Sequence, residues 1–269
     1  MATKINHIAL VSSNWLMVGK FYEVVFGMKF VSGGRGRGLG AATVRDGYVG
    51  INVNPRHPGR PAGLDHFGVE VDSCEEVFAK MQKKYSDVKW LKRPSNRPFA
   101  GITTHDPDGN VFDLSQQDME NRDGLYAEED TLQPRRVNHF AVRTMRPELC
   151  AEFYQDVLDL TPLNRKEGDP NYYLSDGRVT LEIMPWDIQN YAAMGIVRPG
   201  PDHFGFKVED AEKVKQEIEE LTLRSGPYGG WNMYNKGEDK ERTAMFDRTC
   251  PLGTYQFCDN DGVLFDIAE

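Results

Sequence analysis

Four of the six histidines in this 269-residue chain stand in one short phrase written four times. The copies are Asn6-His7-Ile8-Ala9-Leu10-Val11, Leu64-Asp65-His66-Phe67-Gly68-Val69, Val137-Asn138-His139-Phe140-Ala141-Val142 and Pro201-Asp202-His203-Phe204-Gly205-Phe206. His7 and His66 lie 59 residues apart, His139 and His203 lie 64 apart, and the first and third copies are separated by 132, so the chain reads as a doubled pair of one unit. A core position tolerates any side chain of suitable shape. A histidine kept in four units therefore points to chemistry, the alternative being a structural histidine copied by duplication. An acid is available to join each pair, because Asp113 follows Gly109 by four residues and Asp266 follows Gly262 by four. Side chains alternate along a strand, so Asp113 can point into a cup while Phe112 and Leu114 bury on the opposite face. Two neutral imidazoles and one carboxylate form a donor set that suits iron(II) and leaves positions open for substrate and dioxygen. His7, His66 and Asp113 would make one set, and His139, His203 and Asp266 the other.

One comparison separates the halves. Aligning Gly50-Ile51-Asn52-Val53-Asn54-Pro55 with Thr180-Leu181-Glu182-Ile183-Met184-Pro185 sets Asn52 opposite Glu182. The second half thus has a candidate fourth ligand, and two imidazoles with two carboxylates suit a metal acting as a Lewis acid on a carbonyl or enediolate. The two remaining histidines, His105 and His57, are candidates for proton exchange with a substrate, since an ordinary imidazole titrates near pH ~6.5. Arg93 and Arg97, around Pro94-Ser95-Asn96, are candidates to clamp a carboxylate.

The elements that must position these groups follow from periodicity. After each histidine phrase the sequence changes from strand alternation to helical spacing: Trp15, Val18, Phe21, Tyr22, Val25 and Phe26, then Val77, Phe78 and Met81, then Phe153, Tyr154, Val157 and Leu158, then Ala211, Val214, Ile218 and Leu221. Ser73 is the expected N-cap of the second helix, with Glu75 and Glu76 in its first turn. Short β-like runs follow each helix, with Asp46-Gly47 marking a hairpin turn and Ser175-Asp176-Gly177-Arg178 its counterpart. Each unit reads strand, helix, strand, strand, strand. The polar, acidic stretch over 119–136 is the expected linker between domains over 1–118 and 137–269. The glycine- and aromatic-rich run Ser225 to Tyr234 is a candidate lid.

Composition bounds the function. Charged residues at 27% and hydrophobic ones at 39% are ordinary for a globular protein, and no apolar run approaches the length of a membrane span. A net charge of −9 argues against nucleic acid as a partner, and Lys89-Trp90-Leu91-Lys92-Arg93 reads as solvated surface. Cys74, Cys150, Cys250 and Cys258 show no C-x-x-C spacing and are expected to be reduced thiols. Met1 to Asn6 pass straight into a strand, so no secretory leader is read and a cytoplasmic setting is expected. The sequence leaves a homodimer open and calls for a small-molecule substrate.

Together these phrases resemble the vicinal oxygen chelate superfamily, which includes glyoxalase I, extradiol ring-cleaving dioxygenases, fosfomycin-resistance transferases and bleomycin-resistance proteins. The matching features are His7, His66, His139 and His203, the helical pairs Phe21-Tyr22 and Phe153-Tyr154, and Asp106-Pro107-Asp108-Gly109-Asn110 before the acidic position. The resemblance implies an α+β fold in which four βαβββ modules pair into two cup-shaped domains. Its tandem arrangement is similar to that of the extradiol dioxygenases, which implies iron(II) in the C-terminal cup, His139, His203 and Asp266 as ligands, and a catecholic or vicinally oxygenated substrate. The chain departs from that pattern in using aspartate where glutamate is usual. It also carries Thr103 and Gln256 where a tyrosine is expected, and has no spare acid–base histidine in its second half. A glyoxalase-like lyase, isomerase or epimerase using zinc, nickel, cobalt or manganese is the alternative, and a metal-free drug- or metabolite-binding protein is the third reading.

Overall fold

The four histidine phrases form strands β1 (Thr3–Ser12), β5 (Gly63–Val71), β9 (Arg136–Thr144) and β13 (Gly200–Lys207) in a computed structural model. Residues 3–31, 41–93, 101–116, 133–192, 195–225, 238–259 and 261–269 are described. Arg97, residues 226–234 of the expected lid and most of the expected linker lie outside them. The helices called by periodicity are α1 (Trp15–Phe26), α2 (Cys74–Lys84), α3 (Pro147–Leu158) and α5 (Ala211–Ser225). Ser73 caps α2 by accepting the Glu76 amide at 3.2 Å, and Pro147 starts α3, where its missing N–H is no loss. No described helix is long and apolar enough to cross a membrane.

The remaining strands of the first half are β2 (Lys29–Phe30), β3 (Ala42–Arg45), β4 (Gly50–Pro55), β6 (Trp90–Lys92), β7 (Ile102–His105) and β8 (Val111–Gln116). They form an eight-stranded sheet ordered β2-β3-β4-β1-β5-β8-β7-β6. The second half contributes β10 (Thr161–Pro162), β11 (Tyr172–Ser175), β12 (Thr180–Pro185), the short helix α4 (Ile188–Tyr191), helix α6 (Glu238–Thr249), β14 (Tyr255–Cys258) and β15 (Leu264–Ala268). Its sheet is ordered β10-β11-β12-β9-β13-β15-β14. In each sheet the two histidine strands are antiparallel neighbours at the centre, and the strand carrying the candidate acid runs parallel beside the second of them. The fold is thus the expected α+β pair of cupped sheets. The fourth unit differs from the expected order in that its described residues pass from α5 to α6 and then to two strands, so among the described residues the second sheet has seven strands to the first sheet's eight.

Apolar faces of the two sheets enclose a shared core. Helix α1 of the first half lays Phe26 on Phe206 with ring centroids 3.7 Å apart, and Phe21 against Phe265 at 5.8 Å. Helix α3 of the second half places Tyr154 against Phe67 at 6.0 Å and Phe153 against Phe112 at 6.2 Å. Between the sheets themselves Phe67 meets Phe140 at 5.1 Å.

Turn aspartates tie the halves with the same reciprocity. Asp46 accepts the amides of Tyr48 and Val49 within its own hairpin, and its second oxygen accepts the Val137 amide of β9 at 2.8 Å. Asp176 accepts Arg178 and Val179 and then the Ile5 amide of β1 at 2.7 Å. Tyr154 donates its hydroxyl to Asp106 at 3.1 Å, while burial and the charge of Asp259 push the matching Tyr22 hydroxyl well up. Arg135 joins the halves again by donating to the Val25 carbonyl at 2.5 Å and to Glu209 and Glu217 on the other side. Because Phe26 is fully enclosed between the halves, Phe26→Ala is expected to cost about 3–5 kcal/mol. Urea unfolding should show the two halves melting in one transition at a lower midpoint; separate transitions would contradict a shared core.

Candidate metal centres

Each histidine strand carries a bulge at the residue before its histidine. Between Ile5, paired with Val69, and His7, paired with Gly68, Asn6 has no opposite number; between His66, paired with Ala9, and Leu64, paired with Leu10, Asp65 has none. Asn138 is skipped in the same way between Val137 and His139, and Asp202-His203 together oppose a single residue of β9. A bulge re-aims consecutive side chains that a regular pleat would send to opposite faces. Here it lets each imidazole donate its Nδ1–H to the preceding side chain: His7 to Asn6 at 2.8 Å, His66 to Asp65 at 2.6 Å, His139 to Asn138 at 2.8 Å and His203 to Asp202 at 2.6 Å. That bond fixes the tautomer and leaves the lone pair of the ring on Nε2. Asp65 is held in turn by Arg60 at 2.5 Å and Asp202 by Arg143.

Glycines open the space into which the rings turn. A Cβ on Gly68 would lie 1.9 Å from Cε1 of His7, and one on Gly205 would lie 2.0 Å from Cε1 of His139. No side chain fits there, which explains why the second and fourth phrases continue His-Phe-Gly.

In the second half His139, His203, Asp266 and Cys250 converge, each nearly or fully buried, with donor atoms all within 4.8 Å of one another. Nε2 of His139 lies 2.9 Å from Asp266 Oδ2, and Nε2 of His203 lies 3.7 Å from the same oxygen. Glu182 Oε2 is 3.6 Å from His203 Nε2, and the other Glu182 oxygen accepts Asn171 at 2.7 Å. The Cys250 thiol stands 2.8 Å from His203 Nε2 and 3.3 Å from Asp266 Oδ2. Burial drives the Glu182 carboxyl up and the His203 imidazole down; burial also acts on Asp266, but the His139 contact prevails and lowers it. Burial and the Asp266 charge raise the Cys250 thiol far above its usual range.

In the first half His7, His66 and Asp113 converge. Their rings meet edge to face at 5.7 Å, and His66 Nε2 lies 3.1 Å from Asp113 Oδ2. Thr103 donates to Asp113 Oδ1 at 2.5 Å and accepts from Arg93, whose Nη2 is 3.8 Å from that same oxygen. Burial alone would lower His66, but its bonds to Asp113 and Asp65 lift it to about 9. His7, buried and beside His66, is depressed to about 3. Asp113 resists its own burial through the His66 hydrogen bond and falls to about 2.

The donor groups fit a divalent cation. Glu182 Oε2 and Asp266 Oδ1 are buried and accept no hydrogen bond, although an unsatisfied buried carboxylate oxygen is costly. Bound cations are among the few groups that reconcile several carboxylates in one dry pocket. All seven candidate ligands called from the sequence therefore lie at one or other cluster, with Asn52 of the first half occupied by the Thr43 hydroxyl at 2.8 Å where the second half has Glu182. Neither His105 nor His57 belongs to either cluster. His105 donates Nδ1–H to the Asp106 carbonyl at 2.7 Å and accepts the Lys89 amide at 3.1 Å, so both ring nitrogens serve the main chain. His57 is exposed on the connection between β4 and β5. Arg93 reaches the first cluster. Cys250 and the four residues preceding the histidines were not read from the sequence as part of the site. The latter were legible, because Asn or Asp stands before the histidine in all four phrases.

Two substitutions test this construction. Gly68→Ala should remove metal from the N-terminal cluster alone and Gly205→Ala from the C-terminal cluster alone, as read by elemental analysis of each variant. Asp65→Ala should weaken metal binding at the first cluster by about 10–100-fold, the usual cost of losing an outer hydrogen-bond partner; equal affinity in a metal titration would show that the tautomer is set by something else.

Residues 4–114 match the profile of the Glyoxalase/Bleomycin resistance protein/Dioxygenase superfamily. Among curated protein sequences none matches the chain significantly. Several solved structures share its fold over 98% of its length. The Mn(II)-bound glyoxalase from Novosphingobium aromaticivorans is 16% identical with 81% of its own chain covered and a TM-score of 0.64. The 2,3-dioxygenase LapB from Pseudomonas sp. KL28 is 14% identical with 91% covered and a TM-score of 0.62, and BphC, a halotolerant catechol dioxygenase, is 13% identical with 85% covered and a TM-score of 0.59. At these identities the likeness speaks for the fold, and it extends over both halves. The superfamily profile thus covers the first half of the chain, and the same arrangement of histidine phrases about the centre of a sheet recurs in the second.

Proposed function

We propose that the protein is a divalent-metal enzyme acting on a small molecule with two adjacent oxygens, and that it is an iron(II) extradiol-type dioxygenase working at the N-terminal centre. One observation carries this: His7, His66 and Asp113 converge as three donors, while Asn52, at the position of Glu182, is already bonded to Thr43. Three protein donors leave coordination positions for a substrate, as catalytic sites require. Iron(II) held there would supply Lewis acidity for the paired substrate oxygens and a place for dioxygen. The chain's own residues do the positioning. Asn6 and Asp65 hold the imidazoles in one tautomer, Thr103 holds Asp113, and the partly exposed Arg93 offers a cation to an anionic substrate group. Two of the similar structures are of a catechol dioxygenase and a 2,3-dioxygenase, in keeping with this reading.

A glyoxalase-like lyase, isomerase or epimerase is the second reading, favoured by Glu182 standing 3.6 Å from His203 in the C-terminal cluster. Zinc, nickel, cobalt or manganese would serve it. Metal-free sequestration of a drug or metabolite accounts for neither cluster of buried acids.

Protein loaded anaerobically with iron(II) should consume dioxygen with catechol as probe. Asp113→Ala should reduce this uptake to background while His203→Ala retains it. Uptake lost in His203→Ala but not in Asp113→Ala would move the reaction to the other cup, and no uptake with any vicinal diol would favour the glyoxalase reading.

A further inference from the structure

We infer that the C-terminal cup binds its metal through the Cys250 sulfur together with His139, His203 and Asp266, as a closed site whose donor set prefers zinc to iron(II). The inference rests on the reading of both cups as metal centres and assigns a different role to the second.

Cys250 arrives at the cluster by a route the other half lacks. Helix α6 ends at Thr249, the Cys250 amide bonds back to the Phe246 carbonyl at 2.9 Å, and the chain then turns through Pro251 and Leu252 to Gly253. A Cβ on Gly253 would lie 2.5 Å from the Asp266 side chain, so only glycine lets the turn close over that carboxylate. Asn171 fastens the arrangement by donating to Glu182 at 2.7 Å and to the Thr249 carbonyl at 3.2 Å. Phe246 covers the His203 ring with centroids 4.7 Å apart. The sulfur is thus delivered to the donor atoms, and the same helix roofs them.

Independent of the cysteine, the pocket calls for a cation. Asp266 Oδ1 and Glu182 Oε2 are fully buried and accept no hydrogen bond, and the nearby Arg143 is already engaged by Asp202. The order Asp202, His203, Cys250 also has the form of a thiol–imidazole–carboxylate nucleophile. Against that use, the thiol is 1% exposed and lies 3.3 Å from Asp266, so a free thiolate would face a carboxylate with no route to a substrate. A divalent ion removes the conflict, with the thiol proton passing to solvent as the sulfur–metal bond forms. Four donors of mixed nitrogen, oxygen and sulfur type leave no position for a bidentate substrate and describe a closed zinc-type site; the N-terminal set, with no sulfur, suits iron(II).

The test uses the full-length protein freed of metal and titrated with cobalt(II), which reports its ligands spectroscopically. A thiolate-to-cobalt charge-transfer band in the near ultraviolet is expected in the wild type and in His66→Ala, and its loss is expected in Cys250→Ser and Cys250→Ala. Zinc should displace the band, and the zinc affinity of Cys250→Ser should fall by at least the ~10–100-fold that loss of an outer-shell partner costs. Cobalt bound with visible d–d bands but no charge-transfer band, or a band unchanged in both cysteine variants, would overturn the sulfur ligand and leave the metal reading of the cups intact. No cobalt bound to wild type would overturn both. The wild-type spectrum decides the matter even if a cysteine variant fails to fold.

Discussion

An apolar sheet face has to be covered, and in this chain each half's first helix lies on its own sheet and reaches across to the other: α1 rests on β3 and β4, and α3 on β11 and β12. Helix α1 touches the second sheet through Phe21, Tyr22 and Phe26, and helix α3 the first through Phe153 and Tyr154. The aspartate turns follow the same logic, each saturating its own hairpin with one oxygen and the other half's first strand with the second. Those first strands are the ones that bear His7 and His139. These histidines therefore stand on strands that are tied to the other half, which suits groups that must keep a fixed geometry.

From that floor the centres are built by small departures from regular structure. A regular strand would point an asparagine and the next histidine to opposite faces; the bulge brings them together, and the glycine across the ladder gives the ring room. The chemistry of each centre depends on which residues then fill the same topological positions. Asn52 and Glu182 are equivalent, as are Thr103 and Gln256, and each exchange alters the charge or the hydrogen bonding around an otherwise common pair of imidazoles.

Much of this was legible in the sequence because it rests on local periodicity. The strand-to-helix change after each histidine phrase gave the units, and the recurring Asp-x-x-Gly turn with its later acid gave Asp113 and Asp266. What escaped was of two kinds. The helix α6 is polar along most of its length and carries few apolar positions, so no amphipathic stripe announces it. Cys250 belongs to no spacing motif and meets His203, 47 residues away, only because that helix folds back over the cup. The backbone partners of His105 are hidden for a related reason: both its ring nitrogens bond main-chain groups, which no pattern of residue types reveals. The pairing of Phe26 with Phe206 is equally invisible, since periodicity places a side chain on a helix face without naming what lies across from it.

The reciprocal contacts of α1 and α3 across the halves give the chain the form of a two-fold dimer whose subunits have been joined in one sequence. In a homodimer one gene writes both sites, and any change in one is imposed on the other. Joined in a single chain, the two copies keep their mutual packing at the high local concentration a linker provides, yet each can be rewritten alone. Helix α6, which among the described residues has no counterpart in the first half, is such a rewriting: it changes one site's donors while the scaffold common to both is left as it was.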